Sequence, residues 1–308
     1  MLKSCIFLSE IAKSDYFLPH KVLNAECFTV LSMDSIQFRG DETVTLPSLK
    51  SLSLICISFG DLGFHHLVAG CPSLENLSVV KCTGFEKRVI VSSSTLKSLE
   101  VFNSGVELQV EALNLETFRF GQNGHASNYR RLLCNIQFSS CGALRNLAFF
   151  QAWFVGAWFD NLSSKFPVLE SLILYKCGID RGDLKVFSKN LKHFVLGGCD
   201  YKMNVEVVTP NLHTFRFIGS RSIYLRMFAL NLCEATIILD KSTRWDTYHI
   251  TLRDFLANFD CSGKLFIYAF GSEDILFSED TRQTCFTPLP SLKHLDIKII
   301  ERKVPQWQ

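Results

Sequence analysis

Residues 166–177 read FPVLESLILYKC, and this stretch decides the fold. Leu169, Leu172 and Leu174 stand in the spacing L-x-x-L-x-L, and Cys177 lies eight residues after the first leucine. Side chains alternate along a strand, so Leu172 and Leu174 point to the same side while Ser171, Ile173 and Tyr175 point to the other. A strand this short cannot bury its leucines alone. It needs neighbours that repeat the pattern.

The chain supplies them. The leading position of the same frame falls at Leu49, Leu74, Leu96, Leu115, Leu144, Leu169, Leu191, Leu212, Leu232 and Leu292, with a weaker copy at Phe28 (Phe28, Leu31, Met33). Successive steps between the ten stronger copies are 25, 22, 19, 29, 25, 22, 21, 20 and 60 residues. Of their 30 inward positions, all but Ala235 are Leu, Ile, Val or Phe, with Phe118, Phe120, Phe149, Phe194, Phe215 and Phe217 standing where leucine is usual. Cys82, Asn123, Cys177 and Cys199 each close a copy eight residues beyond its leading leucine. A period of this length with that spacing is the mark of a leucine-rich repeat. The expected fold is α/β: a leucine-rich repeat solenoid, or horseshoe, of about ten to twelve coils. It has a parallel concave sheet and a convex side of mixed helical and irregular structure. The competing reading is an irregular α/β domain.

The domain reading is an irregular lead-in over 1–27, offering Leu18, Pro19, Val22 and Leu23 as contacts, followed by a solenoid over 28–308 that is regular to 240 and degenerate over 241–308. In the coil after LPSLKSLSL (46–54), the segment DLGFHHLVAG (61–70) places Leu62, Leu67 and Val68 at helical spacing. Gly70 is expected to end that helix in the left-handed region, and Pro72 forbids continuation. The returns TGFEKRVIVSSS (83–94) and NSGVELQVEA (103–112) are short and valine-rich, which predicts extended structure. Tyr129–Leu133 is read as a helical turn in a solvated loop with Arg130 and Arg131. FQAWFVGAWFDNLSSKFP (150–167) spaces Phe154 and Trp158, and Val155, Phe159, Leu162 and Phe166, by threes and fours, which predicts an amphipathic helix. A second helix is expected over 250–259, on Leu252, Phe255, Leu256 and Phe259, and a degenerate strand at KLFIYAF (264–270).

Net charge is +2, from 32 basic and 30 acidic residues without a run of like charge, which argues against nucleic-acid and membrane surfaces. No apolar run reaches the length of a membrane span, and the N-terminus has too short an apolar core for a signal peptide. The 12 cysteines occupy repeat positions or flank a proline and form no CxxC pair, so free buried thiols in a reducing compartment, cytoplasmic or nuclear, are expected. The sequons at Asn76 and Asn161 matter only in a secreted protein. His65 and His66 have no third ligand near in sequence, so neither a metal nor a cofactor is expected. No phosphate-binding loop, nucleophile elbow or HExxH motif occurs, and no catalysis is expected.

HLVAGCPSLENLSVVKC (66–82), STLKSLEVF (94–102), FPVLESLILYKCGI (166–179) and TPNLHTFRFIG (209–219) together resemble the leucine-rich region of plant F-box/LRR proteins. The resemblance runs from about Leu18 to Ile300, and Cys71–Leu77 is its most characteristic piece. It implies a protein-interaction role, the repeats presenting substrates to a cullin ubiquitin ligase while an F-box docks on a Skp-type adaptor. Residues 1–27 lack the F-box pattern, as the end of the chain lacks the family's further region. The expectation is therefore substrate recognition without its docking module and without Skp-type binding. A free-standing interaction or decoy protein is the alternative. The residues between the core leucines face the concave side. Glu100, Phe102, Arg119, Phe150, Ile173, Tyr175, His193 and Arg216 are the candidate contacts there, since exposed aromatics with arginine nearby compose interaction hot spots. The partner expected is a protein segment with apolar anchors.

Overall fold

The computed structural model describes residues 4–8, 20–38, 43–60, 62–85, 88–105, 107–122, 133–180, 182–199, 203–219, 224–239, 255–260, 262–270 and 289–299. The chain divides into two units, Met1–Ala152 with Lys165–Val168, and Trp153–Ser164 with Leu169–Gln308. Each is a parallel β-solenoid. In the first, the main sheet runs in chain order through β1 (Ser4–Leu8), β2 (Val30–Asp34), β3 (Ser51–Ile55), β4 (Asn76–Val80), β5 (Ser98–Phe102), β6 (Thr117–Gly121) and β7 (Asn146–Phe150). In the second it runs through β8 (Ser171–Tyr175), β9 (His193–Gly197), β10 (Thr214–Gly219), β11 (Glu234–Leu239), β12 (Lys264–Ala269) and β13 (Leu295–Ile299).

The register is that of the sequence frame. Leu52, Leu77, Leu99, Phe118 and Leu147 are mutual partners along the first sheet, and Leu172, Phe194, Phe215 and Ala235 along the second. From Leu49 to Ile237 every inward position of the frame is buried, at most 4% exposed. In seven of the coils the strand ends on a residue in the left-handed region, seven positions after the leading residue. Ser35, Cys56, Lys81, Asn103, Gln151, Lys176 and Gly198 all have φ between 52° and 60°. Their N–H groups extend the ladder, as Cys56 N–H donates to Val80 O at 2.8 Å and Lys81 N–H to Phe102 O at 2.8 Å. The chain thus turns out of the sheet without leaving an amide unpaired. The closing cysteine fills the space behind that turn: Cys82 is fully buried and its thiol donates to Leu54 O at 3.5 Å. Ile36, Ile57 and Ala152 are buried at the corresponding place in other coils.

Return segments are mostly short strands. Arg88–Ser92, Glu107–Glu111 and Ile136–Ser139 form a parallel sheet in the first unit; the first two strands are those the valine-rich returns predict, and the third is not anticipated. Asp183–Phe187, Asn204–Val208 and Tyr224–Phe228 form one in the second, which the frame alone does not anticipate. Among the described residues there are about eight complete turns, somewhat fewer than the ten to twelve coils expected. The terminal sheet strands β1, β12 and β13 adjoin residues outside the described set. Within the expected lead-in, β1 pairs in parallel with β2, His20–Leu23 is helical and Leu23 is buried.

Several local expectations are corrected. The helix Gly63–Ala69 forms, but it buries Gly63, Phe64 and Leu67, while Leu62 is a left-handed, exposed N-cap. Gly70 is right-handed, with φ −71°. Glycine is required there because a Cβ would strike Val44. The aromatic segment is not one helix. Trp153–Val155 is a strand paired with Gly178–Asp180, Gly156–Phe159 is a 3-10 turn, and only Leu162–Lys165 is α-helical. Extended Asp160 and left-handed Asn161 break the run, and Gly178 gives the Trp153 ring its seat. Phe154, Phe159, Leu162 and Phe166 are nevertheless buried, whereas Val155 is exposed. The last copy forms β13, yet Leu295 and Ile297 are 47% and 45% exposed, because no described strand lies beyond it. Phe255, Leu256 and Phe259 are buried as expected, and Leu252, Asn123 and the Tyr129–Leu132 part of the loop lie outside the described residues.

Candidate protein-binding face

With the leucines turned inward, each main-sheet strand presents its first, third and fifth residues to the opposite, open side. In register these make three ladders that cross the strands. In the first unit, the ladder at the strand starts is polar and uncharged, from Ser51 through Asn76, Ser98 and Thr117 to Asn146, whose amide donates to Thr117 Oγ1 at 3.3 Å. The ladder at the strand ends is apolar: Ile55, Val80, Phe102, Gly121, Phe150. The middle ladder holds Ser53, Ser78, Glu100, Arg119 and Ala148.

Four of the expected contacts come together here. Arg119 Nη1 donates to Glu100 Oε1 at 3.0 Å, and its guanidinium lies 5.6 Å from the centre of the Phe150 ring. The rings of Phe102 and Phe150 approach to 5.8 Å although a whole strand separates them. Gly121 makes that possible, since a Cβ there would stand 2.6 Å from Phe102 Cδ1 and 3.2 Å from Phe150 Cβ. The two rings therefore form a lid over the glycine, half-buried and half open to solvent.

In the second unit Ile173 and Arg216 occupy the middle ladder on either side of Val195. Burial pulls the Arg216 guanidinium below its ordinary pKa, opposed by the nearby Tyr268. Tyr175 lies over Gly197, whose Cβ would stand 2.7 Å from Tyr175 Cδ2, and the Lys176 ammonium is 5.6 Å from the same ring. His193 stands in the polar ladder, with Nδ1 hydrogen-bonded to Thr214 Oγ1 at 2.8 Å. Gly121 and Gly197 were not legible as site residues, but both end a strand of alternating apolar residues, where a glycine often marks close approach of another group.

A rim of alternating charge borders the first sheet one residue after each leading leucine. Glu75 bonds Lys97 at 2.8 Å and Lys50 at 3.0 Å. The hydrogen bonds from Lys97 and Lys50 lower its carboxyl to about 2, and Glu75 in turn raises Lys97. Burial pushes the Cys71 thiol up to about 12 and Cys82 to about 11. Among the described residues no group of three or more His, Cys, Asp or Glu side chains could hold a metal, and no helix is long and apolar enough to cross a membrane.

Residues 2–152 match a family model described as the LRR repeats of FBD-associated F-box protein At5g56370. Over these residues the chain is similar to the leucine-rich repeats of plant F-box/LRR proteins. Three relatives of the same kind come from Arabidopsis thaliana. F-box/FBD/LRR-repeat protein At1g78750 is 28% identical over 122 residues, which is 37% of this chain and 27% of the relative. Putative F-box/FBD/LRR-repeat protein At5g44960 is 31% identical over 33% of this chain and 26% of its own length. F-box/LRR-repeat protein 13 is 29% identical over 36% and 26%. The chain's matches thus span about a quarter of the length of these curated relatives. No solved structure matches the chain.

Proposed function

We propose that this chain is a non-enzymatic protein-interaction solenoid acting in the cytoplasm or nucleus, the substrate-recognition region of an F-box/LRR-type ubiquitin ligase adaptor. The observation that carries this reading is the open face itself. It presents half-exposed Phe102 and Phe150 beside an Arg–Glu pair, on a sheet whose other face is committed to the core. Aromatic and arginine side chains clustered on an accessible surface are where binding energy concentrates. The relatives' names support the ligase setting, which is carried here by analogy.

The test is affinity capture from plant extract with the wild-type chain, Phe150→Ala, Phe102→Ala and Lys185→Ala. Lys185 stands exposed on the return strand Asp183–Phe187. A specific partner should be lost with the first two variants and kept with the third, and should accumulate in ubiquitylated form when the proteasome is inhibited. Retention by both aromatic variants at full strength would place the site elsewhere. A partner that is bound but never ubiquitylated would leave interaction without ligase recruitment.

A further inference from the structure

The charge of the open face says what kind of segment it accepts. Across the five strands β3 to β7 there are fifteen outward positions, and only Glu100 and Arg119 among them are charged. Those two neutralise each other at 3.0 Å. At the rim, Glu75 is likewise held between Lys50 and Lys97. We propose that the segment bound by this face is uncharged, with one apolar side chain laid on the lid that Phe102 and Phe150 form over Gly121, and hydrogen-bonding groups facing the Ser/Asn/Thr ladder. This rests on the open face being the binding face.

A charged segment fits poorly for a physical reason. Docking removes water from the face, and a carboxylate or ammonium placed there either goes unpaired or must take a partner from the Arg119–Glu100 pair, leaving the other charge stranded. A neutral segment meets neither cost. Its apolar anchor finds a preformed seat, because the glycine fixes how the rings lean. The second unit repeats the device with Tyr175 over Gly197. Recurrence of ring over glycine, on the exposed side of a strand where the core gains nothing, argues that the shape is used.

The experiment selects random peptides displayed on phage against the purified full chain, then measures synthetic copies of the winners by calorimetry. Near-neutral peptides with an aromatic or leucine anchor should be enriched. Their affinities should change less than about twofold between 50 and 500 mM salt, since no ion pair is screened. Phe150→Ser and Gly121→Val should each weaken them about tenfold or more, the second by unseating the rings with both rings still present. Gly121 is not left-handed, so valine fits the strand. Enrichment of charged peptides with steep salt dependence, still lost in Phe150→Ser, would overturn the neutral-segment inference alone. Peptides indifferent to both substitutions would overturn the face as well. Absence of any enriched peptide also counts against the inference.

Discussion

A thiol buried under a helix end behaves as an apolar group. Cys71 is 3% exposed, donates to Leu67 O at 3.1 Å and is raised to about 12, while Cys27, Cys56 and Cys233 are exposed. Iodoacetamide at pH 8 should therefore label Cys27, Cys56 and Cys233 and spare Cys71 and Cys82, since only the thiolate reacts. Peptide mass spectrometry reads this directly, and labelling of Cys71 as fast as Cys56 would contradict its burial. The sign of the pH effect follows. A folded-state value above the unfolded one of about 8.5 gives stability that is full below that pH and declines as pH rises towards 12. Left-handed Lys81, with φ 54°, makes a second prediction at this scale. Its conformation costs a side-chain-bearing residue roughly 1–2 kcal/mol, and glycine escapes most of that but loses more chain entropy on folding. Lys81→Gly should shift the urea midpoint little, whereas Lys81→Val should lower stability by about 1–2 kcal/mol or more.

Between coils, short polar contacts stitch one element to the next. Asn211 donates its amide to Lys189 O at 2.8 Å, Asn231 to Asn211 Oδ1 at 3.1 Å, and Asn114 to Ser94 O at 2.6 Å. Glu75 joins three coils through Lys50 and Lys97. Because its carboxyl falls to about 2, its contribution is present above about pH 4.3 and is lost as pH drops towards 2. In Glu75→Gln the melting temperature should fall less between pH 6 and pH 3 than in the wild type, and the difference should shrink at high salt. Equal acid sensitivity in both proteins would remove the rim from the stability of the sheet. The core frame could be read in advance because Leu169, Leu172 and Leu174 recur with a fixed spacing that only one burial pattern satisfies. The returns could not all be read. In residues 150–167 the spacing of threes and fours fits a helix, but pairing of Trp153–Val155 with Gly178–Asp180 is a long-range gain that local periodicity does not show. At the site, alternation placed Phe102, Phe150 and Tyr175 on the open face, but the roles of Gly121 and Gly197 depend on neighbours about twenty residues or more away.

At the scale of the whole molecule, stability in a stacked array is a sum of coil stabilities and nearest-neighbour interfaces. Each coil contacts chiefly its neighbours, so damage to one coil is felt first by the coils that touch it. Leu172 is fully buried in β8 and faces Phe194 in β9, which in turn faces Phe215 in β10. Burying such a leucine is worth about 1.5–3 kcal/mol, and an aspartate in its place adds the cost of an unpaired charge in an apolar site. Leu172→Asp should therefore open β8 and weaken β9 and β10 in order of distance, a gradient rather than a uniform loss. Hydrogen exchange followed by mass spectrometry can see it. Amide protection should fall most in Ser171–Tyr175, less in His193–Gly197 and least in Thr214–Gly219. Leu172→Ala should give the same order with smaller amplitudes, which keeps the prediction open to test if the aspartate variant does not accumulate. Unchanged protection at all three strands would mean that Leu172 does not face a core, and the register of the repeat would be wrong at the stretch from which it was first read.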